Sequence, residues 1–352
     1  MTDTPTWSRR RLLRTAAFAG LGLAAAPGLL TACGGGGGDA ATVRVALGWI
    51  ANVEFAGFWL AQDRGYYEEE GLQVEFIPGG PNAPQPTATL AAGGAEIAVP
   101  VALQAFLSAV NEGNDFVTYA TMFQSAPSAL LSLADRPVRT AADLVGARVL
   151  GQQGVQPYIE AAMRLAGVPT DYTFIPAGFE PSPLLEGQGD VYTCFATNQP
   201  IYLEQQGMVE GTDFFVTTYE EMGLPQYAGM LCSDRAWLDA NRDTVVRFMR
   251  ATVRGWQDNA ADPAVAANLA VTDFGADLGL DLEQQIRENE LQLEFTTSEL
   301  TERSGLLRID PDRMAGPIYE AYTAAGVAPL PEVGTVVDTS ILDDVFEGQA
   351  TV

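Results

Sequence analysis

Along the first two thirds of the chain, apolar and polar residues follow the pattern of strands separated by helices. Short alternating or fully apolar runs predict strands, and apolar residues at helical spacing predict helices. The predicted strands cover residues 42–47, 72–77, 95–99, 116–123, 128–133, 147–150, 172–175, 191–196 and 227–232. The predicted helices among them cover residues 86–92, 101–110, 140–144, 157–166 and 198–206. This alternation predicts an α/β protein with parallel sheets covered on both faces.

The loop after the first predicted strand carries the strongest functional pattern. Residues 47–61 read LGWIANVEFAGFWLA, with Trp49 and Asn52 in the turn and Glu54 and Phe55 where a helix begins. Open α/β sheets bind ligands at loops that follow the carboxyl ends of strands. The aromatic ring of Trp49 and the amide of Asn52 in such a loop therefore predict that the loop contacts a ligand.

Two sequence echoes predict two similar halves. Residues 76–80 read FIPGG and residues 174–178 read FIPAG, while residues 94–97 are echoed more loosely by residues 189–191. The echoes occur in the same order, about a hundred residues apart. The apolar runs 128–133 and 227–232 are then expected to be paired crossover strands, one leaving the first half and one returning. We predict a first lobe from residues 42–131, a second from 132–231, and a return to the first from 232–352.

The last third of the chain is predicted to be helical. Helices are expected at residues 237–259, 263–272, 282–293, 312–325 and 341–346, with Ser233 and Thr339 as caps of the first and last. Cys194 and Cys232 fall within predicted strands, which leaves open whether they are free buried thiols or a disulfide.

The first residues resemble an export signal. Three consecutive arginines, Arg9, Arg10 and Arg11, precede an apolar run that ends in the sequence LTAC at Cys33. This arrangement predicts a signal of the twin-arginine kind over residues 1–32, with Sec export as the alternative. The last four residues resemble a lipobox, which implies acylation of Cys33. Residues 33–41 then form a glycine-rich tether, and the protein is expected on the outer face of the cell membrane.

Charge and missing residue types exclude several functions. The net charge is −26, so nucleic acid is a poor partner. There is no histidine, and every basic residue is arginine. Serine–histidine triads, P-loops, pyridoxal Schiff bases and histidine zinc sites are therefore unavailable. We expect a protein that is not an enzyme and that has no cofactor and no metal site.

Most of residues 42–260 resembles the solute-binding proteins of ABC importers, in particular the branch that binds pyrimidine precursors of thiamine. The resemblance rests on Trp49, Asn52, Phe55, Gly57, Trp59 and Ala61, followed by GYY at 65–67 and EGLQV at 70–74. It implies a two-lobe, type II periplasmic-binding-protein-like fold with two crossover strands and a helical C-terminal region. Phe55 stands where pyrimidine binders often have histidine, and in this it resembles the flavin-binding sequences.

The candidate site lies at the predicted strand ends and is rich in aromatic and amide side chains. None of these loops contains arginine, which favours a flat, neutral, nitrogen-rich ring as ligand. Trp49 is expected to stack on one face of the ring, with Phe55, Tyr158 or Phe179 opposite. The amide side chains are expected to form hydrogen bonds with the donors and acceptors on the edge of the ring. Glu54 is expected to pair with an exocyclic amino group of the ring. The predicted ligand-binding residues are Trp49, Asn52, Glu54, Phe55, Gln124, Ser125, Gln153, Tyr158, Phe179 and Asn198.

The protein is predicted to capture a small heteroaromatic vitamin precursor and to deliver it to an ABC permease and its ATPase. It is expected to act as a monomer that is anchored to the membrane by the lipid on Cys33. Riboflavin, or a sulfonate, taurine or nitrate, is the alternative ligand on the same fold. A further alternative is a sensory or adhesive surface lipoprotein. The resemblance also takes in thiamine-pyrimidine synthases, which use pyridoxal and consume a histidine. The absence of lysine and histidine disfavours the hypothesis that the protein is such a synthase.

Overall fold

The computed structural model describes residues 40–80 and 82–352. The predicted export signal and the lipidation of Cys33 lie outside these residues. The strands are β1 (Ala41–Leu47), β2 (Leu72–Ile77), β3 (Ile97–Val99), β4 (Phe116–Phe123), β5 (Ser128–Leu133), β6 (Arg148–Gly151), β7 (Thr173–Pro176), β8 (Val191–Phe195), β9 (Phe214–Thr218) and β10 (Ala228–Asp234).

Helices connect the strands and then make up the C-terminal third. They are α1 (Ala56–Asp63), α2 (Tyr66–Glu69), α3 (Pro86–Ala91), α4 (Leu103–Asn111), α5 (Gln156–Leu165), α6 (Ser182–Leu185), α7 (Gln199–Gln205), α8 (Arg235–Ala240), α9 (Arg242–Ala261), α10 (Pro263–Leu269), α11 (Leu282–Thr296), α12 (Glu299–Ser304), α13 (Pro311–Arg313), α14 (Tyr319–Ala324), α15 (Val333–Val336) and α16 (Ser340–Phe346). Single 3-10 turns lie at Val53–Phe55 and Ala141–Leu144, and π-helical turns at Ala270–Phe274 and Met314–Ile318.

The strands form two five-stranded sheets with the same arrangement. The first sheet has the order β2-β1-β3-β10-β4, and the second has the order β7-β6-β8-β5-β9. The echoed segments lie at equivalent places, because β2 and β7 are edge strands beside β1 and β6. This confirms the predicted α/β class and the pairing of the echoes.

The two expected crossover strands do not pair with each other. β10 lies between β3 and β4 of the first sheet, and β5 lies between β8 and β9 of the second, each antiparallel to both neighbours. The sheets are therefore mixed, whereas the alternation of strands and helices predicted parallel ones. The chain changes sheet before each of these strands, so the predicted lobe boundaries after residues 131 and 231 fall inside β5 and β10. The second crossing follows β9, a strand that the sequence pattern did not reveal.

Three apolar clusters hold these layers together. One packs β1 and β2 against α1 and α9 and includes Trp59 and Trp256. A second runs from the first sheet to the second through Phe106, Leu130 and Tyr322. A third, smaller cluster covers the other face of the second sheet. Residues 40–352 form one compact unit. Within the described residues, every helix is too short or too polar to span a membrane.

The C-terminal helices differ in detail from the prediction. The expected helix over residues 237–259 is broken at Asn241 into α8 and α9. The cap of α8 is Asp234 rather than Ser233, because its carboxylate accepts a hydrogen bond from the backbone N–H of Trp237 at 3.0 Å. Thr339 makes no side-chain cap on α16. Cys194 and Cys232 are free and buried in different sheets.

Candidate functional site

Two glycines fix the path of the loop after β1. A Cβ added to Gly79 would lie 2.4 Å from the carbonyl oxygen of Leu47, and one added to Gly48 would lie 2.6 Å from Val101 Cγ2. The backbone N–H of Gly79 also donates to the carbonyl oxygen of Trp49 at 2.8 Å. The loop therefore lies tightly against the ends of β2 and β3, which holds Trp49 half-buried at the end of the first sheet.

Asn52 is fixed from several sides. Its Oδ1 accepts the backbone N–H of Glu54 at 3.3 Å, which caps the 3-10 turn, and its carbonyl oxygen accepts the indole N–H of Trp59 at 2.7 Å. Its Nδ2 donates to Oε1 of Glu288 on α11 at 3.0 Å. Asn52 is only 2 % exposed, so this amide is positioned by the fold rather than by solvent.

Glu288 joins the two halves of the molecule. Its Oε2 accepts Nδ2 of Asn198 at 2.5 Å, and Asn198 lies in the loop between β8 of the second sheet and α7. The same oxygen accepts Nε2 of Gln285 at 2.9 Å. Asn52 and Asn198, two predicted ligand-binding residues that follow strands of different sheets, thus both donate to the carboxylate of Glu288. The sequence pattern does not indicate Glu288 as a site residue.

A polar stripe on α11 supports this junction. The buried residues of the stripe are Gln285, Glu288, Asn289 and Gln292, at the spacing of one helix face. Gln285 accepts the backbone N–H of Val53 at 2.8 Å, and Gln292 donates to the carbonyl oxygen of Val53 at 2.9 Å. The backbone N–H and carbonyl oxygen of Val53, the first residue of the 3-10 turn, are therefore both bound by side chains of α11. In the sequence, buried-face positions of this helix carry polar residues at helical spacing. That pattern was the signal that could have identified Glu288.

A second carboxylate, Glu54, lies close to the first. Burial raises the pKa of Glu54 to about 8. Burial, together with the nearby charge of Glu54, raises the pKa of Glu288 to about 8, although the hydrogen bonds from Asn198 and Gln285 oppose the shift. Arg287, on the same helix, is turned toward Glu204 at 3.7 Å and Glu290 at 4.0 Å. The two buried carboxylates therefore lie together without an ion-pair partner among the described arginines.

Two aromatic side chains from different sheets meet at this end of the molecule. The rings of Trp49 and Phe179 have centroids 5.8 Å apart and an interplanar angle of 85°. Phe179 follows β7, and its side chain is 43 % exposed. Gln199 Nε2 donates to the carbonyl oxygen of Phe179 at 3.4 Å, which ties this loop to the start of α7. The aromatic pair and the Asn52–Glu288–Asn198 junction both span the two sheets.

The structure uses two other predicted site residues differently. Phe55 is 1 % exposed, and its ring lies 6.2 Å from that of Phe58 and 6.0 Å from that of Trp59, so its side chain lies in the core. Gln124 donates to the carbonyl oxygen of Arg308 at 2.7 Å and accepts Oγ of Ser298 at 2.9 Å. Both ends of this amide are bound by the C-terminal region, which favours a structural role at the first crossing.

The remaining predicted residues lie outside the junction. Ser125 donates to Glu220, which also pairs with Arg313 at 3.1 Å. Tyr158 packs against Tyr219 with ring centroids 6.3 Å apart, in the apolar cluster that runs between the sheets. Gln153 is exposed. The structure therefore brings together Trp49, Asn52, Glu54, Phe179 and Asn198.

Two open surface grooves lie away from this junction. One, of about 330 Å³, is lined by Leu60, Arg64, Tyr66, Asp258, Ala261, Asp262 and Val265. The other, of about 480 Å³, is lined by Ala315, Tyr319, Glu320, Thr323, Ala324 and Leu330. Neither groove contains a predicted site residue. The buried carboxylates and amides between the sheets are the stronger candidate because they combine burial, polar groups and perturbed pKa values.

The architecture is that of the periplasmic binding proteins. The periplasmic aliphatic sulphonate binding protein SsuA of Escherichia coli superimposes with a TM-score of 0.61 at 15% identity, over 86% of this chain and 99% of that one. A Candida albicans protein described as having the generic periplasmic binding protein fold superimposes with a TM-score of 0.58 at 17% identity, over 85% and 96%. These likenesses confirm the predicted fold.

A family model described as "NMT1/THI5 like" matches residues 52–266, and the chain belongs to that family. The riboflavin-binding protein RibY of Chloroflexus aurantiacus is 29% identical over 272 residues, 75% of each chain. The formylaminopyrimidine-binding protein of Halalkalibacterium halodurans is 26% identical over 263 residues, 72% of this chain and 76% of that protein.

Proposed function

We propose that the protein is the extracytoplasmic solute-binding component of an ABC importer and captures a small heteroaromatic ring of the thiamine-pyrimidine kind. The observation that carries the proposal is the meeting of Asn52 and Asn198 on Glu288, close to the loops that bear Trp49 and Phe179. A ring held there would contact groups from both sheets at once. The two relatives named for pyrimidine and riboflavin binding support this ligand class.

Closure about the two crossings is the proposed mechanism. The crossings are joined by a hydrogen bond from the backbone N–H of Ala126 to the carbonyl oxygen of Gln226 at 3.0 Å. Arg313 reaches both of them, because it donates to the carbonyl oxygen of Gln124 at 2.5 Å and pairs with Glu220. A ligand that bridges the sheets stabilises the closed arrangement, which a permease and its ATPase then recognise. Anchoring through acylated Cys33, a monomeric state and the absence of catalysis belong to the same proposal.

Riboflavin is the second candidate ligand, because RibY is among the similar proteins. Sulfonates and nitrate fit less well. The junction holds two buried acids, Glu54 and Glu288, and neither is paired with an arginine among the described residues, so an anion bound there would meet no opposite charge.

A thermal-shift panel tests the proposal. The full-length protein is heated with aminopyrimidines, thiamine, riboflavin, taurine and nitrate in parallel. A ring ligand present at about 100 times its Kd should raise the melting temperature by about 4 °C. A shift with taurine or nitrate and none with any ring would overturn the proposal.

Trp49→Ala locates the binding site. The substitution should abolish the shift with the ring ligand and leave the unliganded melting temperature close to that of the wild type, because Trp49 is only half-buried. Trp237→Ala removes another partly buried tryptophan, on α8, and should keep the response to ligand. Equal ligand responses in the two variants would move the site elsewhere.

A further inference from the structure

We propose that Glu54 and Glu288 hold one proton between them, and that Glu54 passes this proton to a basic ring nitrogen of the ligand. The inference rests on the proposed function, since it assigns a chemical role to one residue of the same site. It adds that the ligand is bound as a cation between two carboxylates.

The hydrogen bonds distinguish the two carboxylates. Glu288 accepts from Asn52, Asn198 and Gln285, and each of these donors stabilises the ionised form. The carboxylate of Glu54 accepts no hydrogen bond from the described residues, although Glu54 is only 5 % exposed. Near pH 8, where both pKa values lie, the pair holds about one proton, and the hydrogen bonds place the negative charge on Glu288 and the proton on Glu54.

The charged groups around Glu54 reinforce this assignment. The 3-10 turn that carries Glu54 packs against α11 and α1. On α11, Glu288 is buried, while the other charged side chains are exposed: Glu283, Arg287, Glu290 and Glu294. On α1, the charged residue is Asp63 at its exposed C-terminal end. Glu54 thus faces one buried charge of the same sign, and two such carboxylates in one site titrate as a coupled pair.

The proton transfer is balanced within the site. The O–H bond of the Glu54 carboxyl breaks, and the lone pair of the ring nitrogen forms an N–H bond with that proton. A neutral ligand becomes a cation and Glu54 becomes a carboxylate, so the total charge of the site and ligand is unchanged. The resulting ion pair is buried, where Coulomb attraction is stronger than in water. A ring without a basic nitrogen cannot make this exchange, and an anion is repelled.

Ultraviolet difference spectroscopy at pH 8 tests the transfer directly, with 4-amino-2-methylpyrimidine as the probe. The bound ring should show the spectrum of its protonated form in the wild type. With Glu54→Gln, the bound ring should show the neutral spectrum, and its affinity should fall by about tenfold or more. Glu290→Gln, an exposed substitution on α11, should behave as the wild type. A neutral spectrum in the wild type, or unchanged affinity in Glu54→Gln, would overturn the inference.

Riboflavin separates this inference from the proposed function. If riboflavin binds and the aminopyrimidine does not, the proton transfer is overturned while capture of a heteroaromatic ring stands. If only taurine or nitrate binds, or nothing in the panel does, both are overturned.

The unliganded protein provides a second readout. The folded-state pKa values of both acids, about 8, lie above the ordinary value of 4.5, so the folded state binds more protons than the unfolded state between these limits. The free energy of unfolding should therefore fall as pH rises from about 5 to 8. This fall should be smaller in Glu54→Gln, and an identical pH dependence in the two proteins would count against the shared proton.

Discussion

The two sheets share one plan but differ in what their loops carry. In each sheet an arginine on the second strand in spatial order pairs with an acid just before the third. The backbone N–H of Arg44 donates to Glu96 at 2.7 Å, and that of Arg148 donates to Asp190 at 2.7 Å. The guanidinium groups close the same pairs at 2.5 and 2.8 Å. The repeat therefore extends from strand order to individual side chains.

The loops beyond these strands differ between the two sheets. The pairing registers place Val45 opposite Phe76 and Val149 opposite Phe174, so Trp49 corresponds to Gln153 when the register is continued. Trp49 meets Phe179 across the junction, whereas Gln153 is exposed. The helix after β3 begins beyond Ala102, while the equivalent helix after β8 begins beyond Asn198. Each sheet thus contributes a different loop to the junction.

The C-terminal helices are the larger asymmetry. α9 and α11 pack against elements of the first half, and α11 supplies Glu288 to the junction. The two sheets therefore supply similar sets of strand ends. The buried polar site forms where a loop from each sheet contacts α11, a helix that has no counterpart in the repeat. The comparison predicts that disrupting the added helices costs more stability than disrupting either copy of the repeated pair.

Gly255→Ala should have the largest effect on stability. α9 crosses α1 so closely that a Cβ on Gly255 would lie 2.0 Å from the carbonyl oxygen of Gly57 and 2.8 Å from the backbone nitrogen of Ala61. Backbone atoms cannot move aside cheaply, so we expect a loss of about 3 kcal/mol in the free energy of unfolding, measured in urea. Gly334→Ala is the matched control, since its Cβ would meet nothing within 4 Å. Equal unfolding midpoints for the two variants would refute this close approach.

Asn198→Asp should have the next largest effect, because it replaces a donor to Glu288 with a third carboxylate. The loss of a hydrogen bond to a charged group predicts destabilisation by about 2 kcal/mol at pH 8, where Glu288 carries the negative charge of the pair. Asn268→Asp adds the same charge at an exposed position on α10 and should change stability little. Indistinguishable urea curves for the two variants would show that Asn198 does not hold the sheets together through Glu288.

Most of the fold could be predicted from the sequence, because hydrophobic periodicity is local. The strands β2, β4 and β5 have the predicted bounds. The sheet that receives β5 or β10 could not be predicted, because both runs are equally apolar and pairing depends on residues far away in the chain. β9 was missed because five residues between loops carry a weak periodic pattern.

The candidate site was predictable only in part. Trp49, Asn52 and Asn198 stand in loops after strands, and topology brings such loops to one edge. Glu288 lies on a helix 236 residues after Asn52, so no local pattern connects it to that loop. Phe55 stands beside Asn52 in sequence, but its side chain enters the core because the 3-10 turn directs it toward Phe58 and Trp59.

Asp190→Asn and Glu96→Gln compare the two copies of the arginine–acid pair, and their effects should be the smallest of the series. Asp190 pairs with Arg136 at 2.7 Å as well as with Arg148, whereas Glu96 pairs with Arg44. The second copy should therefore lose more stability than the first when the charge is removed at pH 7. Asp239→Asn, at an exposed position on α8, serves as the control.

The effect of Asp190→Asn on stability should depend on pH. The hydrogen bonds from the Arg148 side chain and backbone, with the charge of Arg136, lower the pKa of Asp190 although burial opposes the shift. An acid with a depressed folded-state pKa contributes stability above its unfolded pKa, ordinarily about 4, and this contribution is lost as pH falls through the folded value. The difference in urea midpoint between wild type and Asp190→Asn should therefore be full near pH 6 and shrink steadily below pH 4. A difference that stays constant to pH 2 would mean that Asp190 acts through packing, and the two copies would then share geometry without sharing electrostatics.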